Sequence, residues 1–427
     1  MAAAVAVIAS AAVAANDAIP LEKAFSVSGF YGLEVAYTYA GPAHWSNAVN
    51  RLQLVAEGSL SENVKYKLGA RVDVDPVYLG SDFYLPAVRQ NQRLDAIWRE
   101  NYIDVSAGAW DFRIGAQNIV WGEVVGLFFA DVVSARVQRQ FLLPSFDIIR
   151  IPQWAARAEY SAGDSHLELI WIPIPTFDRI GKPGADFYPF PLPSPTSEAA
   201  ASTIGALQKA PGGVANSSYG FRASTLAAGW DFSAFYYRSF SADPTFYRVS
   251  ESTDPSPLLQ PRYDRIWQAG VTLTKDFDTF VLRGEGVYTH GKNFLSTDPT
   301  APQGVVGRPT LDYIVSVDIP FATDARLNLQ AFQRVYFGGS SDVALNTGDF
   351  GISALLSAKL TRTIEPQILW IQNFGGGGSL IRPRINWYAH RNVSLSAGVD
   401  VFTGAIDSVF GRFNNRDRVF TELRYDF

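Results

Sequence analysis

The chain is expected to fold as a single transmembrane antiparallel up-and-down β-barrel of about 18 strands (16–18). Three observations lead there. The closing nonapeptide Val419–Phe427 alternates strictly. Val419, Thr421, Leu423, Tyr425 and Phe427 fall on one face, and Phe420, Glu422, Arg424 and Asp426 on the other. Strict alternation means a strand with two unlike environments. From Phe25 onward the sequence is a series of such runs. The connections between them alternate short and long, which a barrel with short periplasmic turns and longer extracellular loops requires.

The runs lie near 25–40, 50–60, 64–77, 98–107, 110–121, 153–162, 165–174, 218–227, 230–239, 262–274, 278–290, 309–319, 325–337, 348–359, 363–373, 379–389, 392–403 and 414–427. The short links are Ser61-Glu62-Asn63, Gly108-Ala109, Gly163-Asp164, Ala228-Gly229, Asp276-Phe277, Ala322-Thr323-Asp324, Thr361-Arg362 and His390-Arg391. They carry the Gly, Asp, Asn and Ser of tight hairpins. The long links are 78–97, 121–152, 175–217, 240–261 and 291–308. A soluble sandwich has no reason to keep this parity. An even strand number leaves both termini on the periplasmic side. The last strand also resembles the closing strand of bacterial outer-membrane barrels. That resemblance implies that Tyr425 and Phe427 are read by the barrel-assembly machinery.

Composition agrees. A mean hydropathy of +0.01 is uninformative for a barrel, which hides its lipid signal in alternate residues. The absence of cysteine removes disulfides and thiol chemistry. A net charge of −5 without any basic run speaks against nucleic acid as a partner. Residues 1–14 read as a secretory signal, with an apolar core and Ala12-Val13-Ala14 as the cleavage site. No Lys or Arg precedes that core, as in a leader lacking its own start. Residues 25–427 then form one outer-membrane domain, in contact with outer-membrane lipids.

The faces follow from the period. Tyr66, Leu68, Ala70, Val72 and Val74 face lipid, while Lys67, Gly69, Arg71, Asp73 and Asp75 face in. The same rule sends Arg113, Arg157, Glu159, Arg222, Arg283, Glu285, Arg334, Arg382, Arg384, Glu422 and Arg424 into the lumen. At this strand number a barrel is wide enough for an aqueous channel. The inward charges have two readings: an arginine track that guides solutes, or ion pairs across the wall and between same-face neighbours such as Arg283 with Glu285 and Arg157 with Glu159. Pro383, between inward Arg382 and Arg384, predicts a bulge. Asn101 gives run 98–107 a weak apolar face.

Two long links look specialised. In 121–152, Phe128 and Phe129 precede a helix predicted over Asp131 to Leu143, with Val132, Val133, Val137, Phe141 and Leu142 near helical spacing. Packed inside the mouth, it would make a constriction bearing Arg136 and Arg139. In 175–217, Phe187-Tyr188-Pro189-Phe190-Pro191-Leu192-Pro193-Ser194-Pro195 is apolar and stiff, suited to a lid over or in the barrel, to contact with hydrophobic solutes or to packing on neighbouring loops. Glu198 to Gln208 reads as a short helix capped by Thr196 or Ser197.

Residues 110–154 carry a family resemblance. Trp110-Asp111-Phe112-Arg113-Ile114-Gly115-Ala116-Gln117-Asn118-Ile119-Val120-Trp121-Gly122, Asp131-Val132-Val133, Phe141-Leu142-Leu143 and Arg150-Ile151-Pro152-Gln153-Trp154 resemble a proteobacterial outer-membrane family catalogued as a domain of unknown function. Its members are often encoded beside RND-type (MMPL) transporters and lipid-handling periplasmic proteins. The resemblance implies traffic in lipid-, sterol- or hydrocarbon-like molecules and an RND-type system as a partner. Ser134-Ala135 stands where that family usually has Asn-Pro. No functional residues carry over from it.

Catalytic chemistry is not expected. The four histidines, His44, His166, His290 and His390, form neither HExxH nor a close pair, so no metal site is expected. There is no Gly-x-Ser-x-Gly, and Gly375–Gly378 lacks the Lys-Ser/Thr of a phosphate loop. No catalytic residue and no cofactor follow. The expected function is an outer-membrane channel for passive passage of small hydrophobic or amphipathic molecules. The alternatives are a porin specific for polar or anionic solutes and a structural partner of a periplasmic transport system.

Overall fold

A computed structural model of the chain describes residues 25–427, apart from Val125, Phe128, Leu142, 190–196, Lys209, 211–212, 250–257, Thr323, 345–349 and Gly376. The expected leader, Phe128, Leu142, Phe190 and Thr196 therefore lie outside the described residues.

Eighteen strands pair antiparallel, each with its neighbour in sequence. They are β1 (Phe25–Thr38), β2 (His44–Ser61), β3 (Val64–Val74), β4 (Leu94–Ala107), β5 (Trp110–Gln117) and β6 (Gln153–Ala162). Next come β7 (Ser165–Ile172), β8 (Ser218–Ala227), β9 (Trp230–Phe240), β10 (Arg265–Asp276), β11 (Val281–His290) and β12 (Thr310–Ala322). The wall ends with β13 (Ala325–Tyr336), β14 (Gly351–Ala358), β15 (Ile364–Asn373), β16 (Ser379–His390), β17 (Val393–Thr403) and β18 (Arg418–Asp426). The ladder closes where β18 pairs with β1, from Phe30 opposite Asp426 to Thr38 opposite Arg418. Phe427 extends the seam by exchanging backbone hydrogen bonds with Gly29 at 2.8 and 3.0 Å. A Cβ on Gly29 would lie 2.3 Å from the Gln53 carbonyl and 3.0 Å from the Phe427 ring, so only glycine fits there. The chain is thus an all-β, transmembrane-type barrel, with the short turns on one rim.

The period assigns the wall. Leu68, Val72, Trp98, Ile114, Trp171, Val271, Ile385 and Val419 are exposed outside. Arg71, Glu168, Thr272, Glu285 and Asp400 are buried inside. The weak apolar face of β4 has a local cause. Leu68 pairs with Asn101, but Ala70 pairs with Trp98, so Arg99 and Glu100 together oppose Gly69. This bulge reverses the parity of β4: Trp98 points out before it, Ile103 and Val105 after it. Asn101 repairs the gap, accepting from Gly69 N at 3.2 Å and donating to Gly69 O at 2.8 Å.

Three sequence expectations are corrected. Asp131 to Leu143 is not a helix: Ala135–Arg136 pairs with Arg150–Ile151 as a two-stranded ribbon. β-Branched Val132, Val133 and Val137 favour extended backbone, and the segment finds its partners inside the barrel. The helix after Ser197 covers only Glu198–Ala201, with Ser197 as its cap, accepting from Ala200 N at 3.2 Å. No bulge forms at Pro383. Ile381–Val401 and Arg384–Gly398 keep one register across it, and the shift falls between Trp387 and His390. Pro383 removes one N–H from the ladder without displacing it.

The outward face predicts a measurable cost. Val271, 56 % exposed, sits mid-strand in β10. Val271→Arg should destabilise the barrel in liposomes by about 2–4 kcal/mol in denaturant unfolding. Unchanged stability would mean that this face does not meet lipid.

Candidate functional site: the plugged lumen

β5 is only eight residues long. It ends at Gln117, opposite Gln153, so the chain leaves the wall within the barrel rather than above it. Residues 118–152 therefore start inside the lumen. Ile119, Trp121, Ala130 and Val133 pack on the inward faces of β6, β7, β9 and β11, against Ala155, Ile170, Ile172, Phe235, Tyr237 and Val287. Trp121 is fully buried, with its ring 5.1 Å from Phe235 and 5.9 Å from Tyr237.

Between these residues the backbone wraps one carboxylate. Glu285 Oε1 accepts from Glu123 N at 2.6 Å and Val124 N at 2.7 Å. Glu285 Oε2 accepts from Phe129 N and Ala130 N, both at 2.8 Å. Charge-assisted bonds to backbone N–H are among the stronger hydrogen bonds. Glu285 is thus taken up by the inserted segment and not by Arg283, which pairs with Asp318 on β12.

The segment then crosses to the opposite wall. Leu127, Phe141 and Leu143 join Phe187, Ile371, Leu380, Phe402, Phe410 and Phe413. Phe141 lies 5.0 Å from Phe413, and Phe129 6.4 Å from Phe332. Arginines of β3, β4 and β16 hold the segment through its carbonyls. Arg71 donates to Ile148 O at 2.8 Å, Arg99 to Asp147 O at 2.7 Å, and Arg382 to Leu143 O. Phe146–Ile149 forms one helical turn there.

Every inward arginine expected from the sequence has an acidic partner. The pairs include Arg71–Asp73, Arg113–Asp104, Arg157–Glu159, Arg334–Asp312, Arg382–Asp400, Arg384–Glu422 and Arg424–Asp426. Arg222 is the exception in kind: its partner, Glu123 at 2.6 Å, comes from the plug. Among the plug's own arginines, Arg136 lies 3.7 Å from Asp131 and Arg139 3.2 Å from Asp95.

Above the plug, extracellular by the turn-length rule, the long loops make a lid. Tyr78, Tyr84 and Val88 pack on Ala185, Tyr188 and Phe246. Phe187 and Tyr188 are both buried, so the start of the aromatic-proline stretch packs inward. Asp186 ties it to the rim, accepting from His44 Nε2 at 3.1 Å and Tyr84 OH at 2.8 Å, with Arg416 at 3.0 Å. Asp178 accepts from Arg136 N at 2.7 Å and Gln138 Nε2 at 2.5 Å, which joins lid to plug. Burial raises the Asp178 carboxyl from its usual 3.8 to about 7.

Below the plug lies a cavity of about 540 Å³. Its roof is Leu127, Leu143 and Phe146 from the plug with Leu369, Ile371 and Leu380 from the wall. Toward the short-turn rim it is polar, with Arg384, Asn386, Ser396, Glu422 and Arg424. Arg424 stacks on Phe30 at 4.0 Å. Among the described residues no group of acidic or His side chains is arranged to hold a metal ion.

A closed all-next-neighbour barrel with an apolar outer belt and a polar, plugged interior is an outer-membrane β-barrel of the porin type, which places the protein in the Gram-negative outer membrane. No family model matches the chain, and no curated protein matches it in sequence. Solved structures do match. OccAB3 of Acinetobacter baumannii is similar over 94 % of this chain and 99 % of its own, with TM-score 0.54 and 9 % identity. Salmonella typhi OmpF, solved with daunomycin, covers 96 % and 99 %, with TM-score 0.48 and 11 % identity. At 9 % identity the likeness to OccAB3 is one of fold.

Two outcomes follow. Glu285→Gln turns one acceptor oxygen into an NH2 facing two N–H donors, at a cost of about 1–3 kcal/mol. Hydrogen exchange at residues 121–133 should accelerate, and unchanged protection would show that the carboxylate does not hold the plug. Because folding raises the Asp178 pKa, the neutral acid is favoured. The stabilisation is complete below 3.8 and is lost as pH rises through about 7. Exchange at Arg136 and Gln138, corrected for its intrinsic pH dependence, should rise between about pH 5 and about pH 8. Asp178→Asn should remove that dependence.

Proposed function

We propose that the protein is a passive outer-membrane channel for small amphipathic solutes, narrowed by its own residues 118–152. The observation that carries this reading is the cavity of about 540 Å³ with an apolar roof and a polar mouth. Its size is that of a small-molecule site. Its lining suits a molecule with an apolar body and a hydrogen-bonding head. The family resemblance at residues 110–154 supports the same solute class and an RND-type system as the periplasmic partner. The seam at Phe427, with Tyr425 and Phe427 exposed on the lipid side, suits recognition by the barrel-assembly machinery.

A second reading, a porin for polar anions, is favoured by the guanidinium groups of Arg51, Arg382, Arg384 and Arg424 in the lining. Their acidic partners weigh against it. In planar bilayers, replacing 126–146 by a short Gly-Ser linker should raise conductance several-fold, by about the area the plug vacates. A barrel silent with and without the plug would refute the channel. A strong anion preference abolished by Arg384→Ala would select the second reading.

A further inference from the structure

We propose, on the channel reading above, that solutes cross off-axis along β2 and β3, through a gate that the Pro144–Ile149 turn closes against Arg51, Arg71 and Asp73. A second cavity, of about 60 Å³, lies between that turn and the wall. It meets the large cavity at Arg51, Pro144 and Ile148, which line both. From there it reaches Asp95, Arg139 and Gln92, at the end of the lid helix Pro86–Gln92. The two cavities thus trace a route from the periplasmic mouth to the underside of the lid, interrupted at one place.

The other sides of the plug are sealed differently. Toward β6–β11 it is fused to the wall by apolar packing around Trp121 and by the Glu285 bonds. Toward β15–β17 it is packed on aromatic rings, with one carbonyl contact from Arg382 to Leu143 O. Opening either side would break a dry, interdigitated contact. At the gate the turn buries Ile149 but is otherwise held through its carbonyls, by Arg71 on Ile148 O and Arg99 on Asp147 O. Guanidinium donors can transfer to a solute acceptor one at a time, and the apolar contact to be loosened is limited to Ile148 and Ile149. The charges there are already shared. Asp73 lies 3.1 Å from Arg51 and 3.3 Å from Arg71, and above it Asp95 serves Arg139 at 3.2 Å and Arg179 at 2.8 Å. Each step therefore offers donors and acceptors to a polar head while Ile148 meets its apolar body. Arg51 and Ile148 become the residues that set size and charge preference.

The chain lacks cysteine, so single cysteines report cleanly. Ile148→Cys and Gln140→Cys lie on the route, and Val133→Cys lies in the sealed apolar side. A cationic methanethiosulfonate reagent should modify the first two, by mass, about tenfold faster than the third, and lower their current at least about twofold. Arg51→Ala should raise conductance about twofold and shift the reversal potential toward cations, whereas Arg222→Ala on the sealed side should not. Faster modification of Val133→Cys, or equal effects of the two arginine variants, would overturn the route. These outcomes separate from failure of the channel itself. Mass modification ranks the positions even in a silent barrel, and a conducting plug-less barrel with no effect at Arg51 or Ile148 refutes only the route.

Discussion

The constraint on which everything else rests is that no backbone polar group of the wall can stay unpaired in hydrocarbon. Closure of β18 on β1 satisfies it, and closure fixes the rest. With no edge strand, the sheet encloses a lumen whose inward residues meet only one another or whatever the chain places inside. Phe427 and Gly29 complete the last rung, and the Phe427 ring occupies the space a side chain at Gly29 would need. The seam is thus specified both by bonds and by shape.

A polar lumen wall needs partners, and it finds two kinds. The wall itself supplies carboxylates to most of the arginines, from an adjacent strand for Arg113, Arg283, Arg334 and Arg382 and from the same strand for Arg71, Arg157 and Arg424. The inserted segment supplies backbone. Glu285 takes four N–H groups, and Arg71, Arg99 and Arg382 take carbonyls. A carboxylate can only accept and a guanidinium can only donate. The wall therefore reads the direction of the segment's peptide groups more than its side chains. The inserted segment holds an irregular path deep in the barrel where the wall satisfies the backbone of Glu123, Val124, Phe129, Ala130, Leu143, Asp147 and Ile148.

What was legible in the sequence follows the same division. The two-residue period of the wall is a local property. It placed the strands, the turns and the inward charges, Arg157 with Glu159 among them. It failed where a partner is set by enclosure. Arg283 looked like the mate of Glu285, but it pairs with Asp318 on the adjacent β12, and the plug claims Glu285. The apolar residues of 131–143 fall near helical spacing, yet Val132 and Val133 pack on one wall and Phe141 and Leu143 on the other. β2 begins at His44, before the apolar run near 50, because its upper part is polar and pairs with β1 beneath the lid. Only Asn101 left a trace of its role, as a polar residue on a lipid-facing period that marked the bulge at Arg99 and Glu100.

The way the plug is fastened also bears on what it can do. Apolar packing is cooperative and opens only with loss of close contact over a whole patch. Hydrogen bonds to carbonyls can instead be traded one at a time for water or solute at small net cost. The plug combines both, fused on the sides of Trp121 and Phe413 and pinned on the side of Ile148. A segment fastened so unevenly is expected to yield on its pinned side first. The cavities meet on that side. The same geometry lets the plug remain in place while a path beside it opens, so narrowing and passage do not require the segment to leave the barrel.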